Sequence, residues 1–105
     1  MLRIYKDMLD VIAAMRPMVA AMERKDADLA RQLRRAASSV VLNVAEGSGS
    51  AGGVRVARYR TALGSARETL ACLQAAEAWG YVQGVPASVL PGLHRVIATL
   101  VRAAA

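Results

Sequence analysis

The segment IYKDMLDVIAAMRPMVAAME, residues Ile4 to Glu23, places apolar side chains at Ile4, Met8, Val11, Met15, Met18 and Met22. The steps alternate four and three, so all six share one face of an α-helix in an unbroken heptad seam. No strand produces that period. A second row, Tyr5, Leu9, Ile12 and Val19, lies beside the first and makes the apolar face wider than one small core needs. Pro17 falls inside the pattern. It removes one bond, to the carbonyl of Ala13, and predicts a kinked helix, because the period runs on through it.

The same period recurs three times downstream. After the charged connection Glu23 to Asp28, a second helix is predicted over 27–46, capped by Asp26 or Asp28, with Leu29, Leu33, Ala36 or Ala37, Val40 and Val44 as its stripe. The segment Gly47-Ser-Gly-Ser-Ala-Gly-Gly53 ends that helix and predicts the most mobile loop. A third helix is predicted over 54–79, with Val56, Tyr59, Leu63, Ala66, Leu70 and Leu73 as its seam and Gly80 as its stop. Gly64 and Ser65 inside it are read as small residues that let another helix approach. A fourth helix carries Leu90, Leu93, Ile97, Leu100 and Ala104, and Pro91-Gly92 predicts that it becomes regular only there. Short connections and four amphipathic segments predict an all-α, antiparallel up-down-up-down four-helix bundle, with residues 1–105 as a single domain.

Composition agrees with a packed soluble chain. Hydrophobic residues make up 55% of it, and no apolar run is long enough to span a bilayer, so no membrane role is expected. Lys6, Asp7, Asp10 and Arg16 break up any secretory h-region. The lone Cys72 cannot form an internal disulfide, which suits a reducing cytoplasm.

Charge is unevenly distributed along the chain. Arg31, Arg34, Arg35, Arg55, Arg58, Arg60 and Arg67 face one acid, Glu46, between positions 31 and 67, which accounts for the whole net charge of +6. The rest of the chain balances. Such an excess suits a polyanion, and nucleic acid is the abundant one. Arg31, Arg34, Arg55, Arg58, Arg60 and Arg67 are the expected nucleic-acid-binding residues, running along the second and third helices. With no free aromatic platform beside them, they suit a phosphate backbone better than base reading.

Arg35, Ser39, Asn43 and Glu46 share a face of helix two, and Ser65 and Glu68 share one on helix three. Two readings stand. The stripes form a binding pocket, or they form a buried polar network that fixes helix register, with Arg35 paired to Glu68. The second is the commoner use of such residues. It predicts that Glu68→Ala destabilises more than Glu77→Ala.

Other signals are weak. Gly47 to Gly52 satisfies G-x-G-x-x-G, but a helix rather than a strand precedes it, so no dinucleotide or other cofactor is expected. His94 and Cys72 lie on different helices without catalytic partners, and no Glu-x-x-His pair exists to hold a metal. The chain is read as non-enzymatic.

The run Gln32-Leu-Arg-Arg-Ala-Ala-Ser-Ser-Val-Val-Leu-Asn-Val-Ala-Glu-Gly47 resembles the signature of the 23S rRNA intervening-sequence proteins, which are related to the accessory variability determinant of diversity-generating retroelements. Gln32, Arg35, Ala36, Ala37, Ser39, Asn43, Ala45, Glu46 and Gly47 fall on that pattern. Tyr59-Arg-Thr-Ala-Leu-Gly-Ser-Ala-Arg-Glu68 and Trp79-Gly-Tyr-Val82 resemble its later parts. The resemblance implies a four-helix protomer in a ring-shaped homopentamer. In the retroelement branch it implies a basic surface that binds nucleic acid, RNA or DNA, and a reverse transcriptase. Relatives place Arg or Lys soon after Glu-Gly. Here glycine, serine and alanine fill that loop up to Arg55, and Arg55, Arg58 and Arg60 would stand in.

Overall fold

A computed structural model describes residues 2–105. Four helices make up most of it: α1 (Leu2–Lys25), α2 (Ala27–Ser48), α3 (Gly52–Ala78) and α4 (Val89–Ala103). No strand occurs among the described residues. Helix α2 packs against α1 and α3, and α4 packs against the same two from the other side.

All six seam residues of α1 are buried, Met8 and Met22 completely. Each such side chain contributes about 1.5–3 kcal/mol by leaving water. Pro17 lies within α1 and the helix continues through it. Of the second row, Tyr5, Ile12 and Val19 pack partly against the core, while Leu9 is exposed.

Helix α2 buries Leu33, Ala36, Ala37, Val40 and Val44 as its pattern predicts, but Ala30 rather than the expected Leu29 is its first buried residue, and Leu29 packs half-buried at the flank. Asp26 is the cap: its Oδ1 accepts the Leu29 N–H at 3.0 Å. The helix does not stop at Glu46. It continues through Gly47 and Ser48, leaving only residues 49–51 as the connection. Gly47 is what allows this, because a Cβ there would run into Cε1 and Cδ1 of the Tyr59 ring.

In α3 the seam lies one helical row from the predicted one. Tyr59, Ala66 and Leu73 are buried as expected, but their partners are Ala62, Thr69 and Ala76; of the expected Val56, Leu63 and Leu70, all half-buried, Leu63 and Leu70 flank the core. Both sets keep a three–four spacing. The small row faces inward because α3 is wedged between α2 and α4, and alanines let both approach. Gly64 is exposed and a Cβ on it would meet nothing, so close packing falls to Ser65 alone.

At the end of α3, Gly80 has φ +75°, and the Tyr81 N–H reaches the Ala76 carbonyl at 2.9 Å. This left-handed turn ends the helix. Helix α4 begins at Val89, two residues before Pro91. Pro91 is tolerated because it sits in the first turn, where backbone N–H groups have no intrahelical partner. Val89, Gly92, Leu93, Val96 and Leu100 are its buried residues, with Leu90 and Ile97 at the flank.

Candidate nucleic-acid interface

The polar stripes of α2 and α3 meet. Ser65 Oγ donates to Ser39 Oγ at 2.7 Å. Asn43 Nδ2 donates to the Ser39 hydroxyl at 3.1 Å and to the Ser39 carbonyl at 2.9 Å. Thr69, fully buried, donates to the Ser65 carbonyl at 2.8 Å. These bonds satisfy the polar side chains between the two helices. Thr69 is a member of this set not expected from the sequence, although its position four residues after Ser65 places it on the same face.

The charged ends of the stripe behave differently. Arg35 and Glu68 are both exposed, and no ion pair joins them among the described residues. The expected buried pair is therefore absent, and Glu68→Ala has no such pair to break. Both side chains reach water at the outer edge of the helix pair, where their charges stay hydrated. Arg35 and Glu68 instead line a cavity of about 310 Å³ together with Gln32, Ala36, Ser39 and Ser65. Glu46 leaves the stripe as well, pairing with Arg58 at 3.0 Å.

The six arginines expected to bind nucleic acid are all exposed but fall into separate places. Arg31 pairs with Asp28 at 3.3 Å and Arg34 with Glu23 at 3.1 Å, beside the junction of α1 and α2. Arg55, Arg58 and Arg60 share the level where α2 ends and α3 begins, Arg55 and Arg58 on the flank of α3 that meets α2 and Arg60 on the flank that meets α4. Arg55 Nε donates to the Gly47 carbonyl at 3.2 Å, and Arg60 Nε to the Ala104 carbonyl at 3.1 Å. The Arg55 and Arg60 guanidiniums thus sit against the negative ends of neighbouring helices, which stabilises them and leaves their other N–H groups free. Arg67 stands alone on the outer face of α3. The stripe read from the sequence is two clusters and one isolated charge.

Burial, and then the neighbouring Glu68 carboxylate, push the Cys72 thiol above its ordinary value, so it remains protonated and inert. Tyr81 donates to Asp26 Oδ2 at 3.2 Å. Its phenol is likewise raised, by desolvation first and by Asp26 after it.

Between α1 and α2 an open, largely apolar groove of about 710 Å³ is lined by Ile12, Val19, Ala20, Leu33 and Ala37, with Arg16, Arg34 and Glu23 as its charged residues. No helix of the described residues is long and apolar enough to cross a membrane.

Comparison with curated proteins and with solved structures gives no match. The family model for the 23S rRNA-intervening sequence protein matches residues 1–99, nearly the whole chain, and the chain belongs to that family.

Proposed function

We propose that this protein is a non-enzymatic, cytoplasmic homo-oligomer that binds nucleic acid with low sequence specificity through a basic surface. Of the arginines expected on α2 and α3, those at the start of α3 carry the contact, since Arg31 and Arg34 of α2 are paired with Asp28 and Glu23. The observation that carries this proposal is the set Arg55, Arg58 and Arg60, three exposed guanidiniums over one turn and a half at the start of α3, two on its α2 flank and one on its α4 flank, with Glu46 as the acid paired to one of them. Membership of a family named for insertions in 23S rRNA supports an RNA-related role. Guanidinium groups suit phosphate oxygens, and contacts to phosphate position a polyanion without reading bases.

We infer that neighbouring helices run in opposite directions, up-down-up-down. On the α2–α3 pair, Ser48 meets Tyr59 and Ser39 meets Ser65, so numbers fall on one helix as they rise on the other. On the α1–α4 pair, Asp7 meets Arg95 and Val11 meets Gly92. Both trends support opposed neighbours.

The apolar groove between α1 and α2 supports self-association, and the family resemblance points to a pentamer. An oligomer turns a weak phosphate contact into useful avidity. The same groove favours a second reading, in which the ring is a scaffold for another protein such as a reverse transcriptase.

Fluorescence anisotropy of a labelled mixed-sequence RNA, and of the matching DNA, titrated at several salt concentrations, separates the two readings. Phosphate binding gives an affinity that falls linearly with salt on a log–log plot, with a shallower slope when Arg55, Arg58 and Arg60 are all changed to Gln. Absence of binding at low salt overturns the nucleic-acid proposal and leaves the scaffold.

A further inference from the structure

We infer that the nucleic-acid surface is one end of the bundle and that half of it comes from helices outside the arginine-rich segment: Arg3 and Lys6 of α1 and Arg102 of α4 join Arg55, Arg58 and Arg60. This presupposes the nucleic-acid binding and the opposed helices proposed above. The end of α4 reaches the start of α3 through the bond from Arg60 to the Ala104 carbonyl. The end of α2 reaches the start of α3 through Ser48 and Tyr59. Helix α4 lies along the first half of α1, with Arg95 on Asp7 and Gly92 against Val11, so its last turn approaches the start of α1. Four helix ends therefore share one pole of a molecule about 42 Å long.

The charges sort accordingly. At this pole Arg95 and Asp7 cancel as an ion pair. Arg3, Lys6, Arg55, Arg58, Arg60 and Arg102 then face only Asp10 and Glu46, an excess of +4 out of the chain's +6. The opposite pole holds Arg24, Lys25, Arg31 and Arg34 against Glu23, Asp26, Asp28 and Glu77, which balance. Arg31 and Arg34, counted as part of the basic segment along the chain, are neutralised in space by Asp28 and Glu23. Arg3, Lys6 and Arg102 are exposed and make no ion pair among the described residues. Five of these six positive charges are guanidiniums, which favours a phosphodiester backbone over a lipid headgroup layer. The large exposed apolar side chains of this half, Leu9, Leu42, Val54 and Val101, stand one on each helix rather than along one amphipathic face that could enter a bilayer.

Two triple variants test this with single-stranded RNA across a salt series. One changes Arg3, Lys6 and Arg102 to Gln; the other changes Arg31, Arg34 and Arg67 to Gln. The first should lower the log–log salt slope by about two, at roughly 0.7 for each phosphate no longer neutralised, and the second should leave it unchanged. Changing Arg3 and Arg102 to Lys, with Lys6 kept, should preserve the slope and shows that charge at this pole is what matters. A drop in slope confined to the second variant overturns the assignment of this pole while leaving nucleic-acid binding intact. No RNA binding by the unaltered protein at low salt overturns both, as does binding to phosphatidylserine vesicles in its place.

Discussion

Gly47 and Gly64 are both glycines inside helices, and they should respond to alanine in opposite directions. Intrinsic propensity favours alanine by about 1 kcal/mol at either position. At Gly64 nothing lies within reach of the new methyl group, so Gly64→Ala should stabilise by about that amount. At Gly47 the methyl would meet the Tyr59 ring, which is buried and hydrogen-bonded through its hydroxyl to Ser48 at 3.2 Å. Moving that ring costs about 1–3 kcal/mol by overpacking, so Gly47→Ala should lower the urea midpoint. A second test concerns protons. The Cys72 pKa is raised in the fold above its ordinary 9.0, so the native state holds the proton more tightly than the unfolded chain. Its contribution is fully present below pH 9 and is lost as the pH climbs from there through the folded-state value. Between pH 8 and 11 the melting temperature of the wild type should therefore fall more steeply than that of Cys72→Ala, measured in the same buffers. Tyr81 shifts in the same direction but is common to both proteins.

Among the elements, Asp26 makes a contact that its position in the sequence does not reveal. One carboxylate oxygen caps α2 and the other accepts from Tyr81, which lies in the connection after α3. Asp28, two residues on, is exposed and pairs with Arg31. Asp26→Ala should cost about 1–2 kcal/mol as a lost helix cap, and Asp28→Ala within about 0.5 kcal/mol, both read from denaturant unfolding. Either acid fits the cap from sequence alone, because both precede the same apolar stripe. Helix existence was legible throughout, since heptad spacing is a local property. The side a helix turns inward was legible only where one row is clearly more apolar. In α1 the methionine seam leaves no choice. In α3 two rows share Tyr59, Ala66 and Leu73, and the bulkier row is the wrong one because two neighbours must approach. The polar stripe was legible as a shared face, but not the outward swing of Arg35 and Glu68, which depends on water at the helix edge rather than on spacing.

For the whole molecule, charge along the chain and charge in space differ. Arg31 and Arg34 look like part of a basic run, yet acids from α1 and from their own first turn stand against them. Only the packing of helices can show this. The apolar face of α1 raises the matching question of what covers it. Ile12, Val19 and Ala20 form a groove with Leu33 and Ala37 that no element of the described residues fills. If a second copy fills it, light scattering at micromolar concentration should give a multiple of 11.1 kDa, five-fold for the expected ring. That mass should persist in 1 M salt, where the screening length is about 3 Å and surface ion pairs weaken but apolar burial does not. Ala20 is exposed on the groove and supports no core contact, so Ala20→Glu should shed the oligomer while the helical circular dichroism stays intact. A wild-type mass of 11.1 kDa under both salts would leave the groove open to a different protein and remove the avidity on which weak phosphate binding depends.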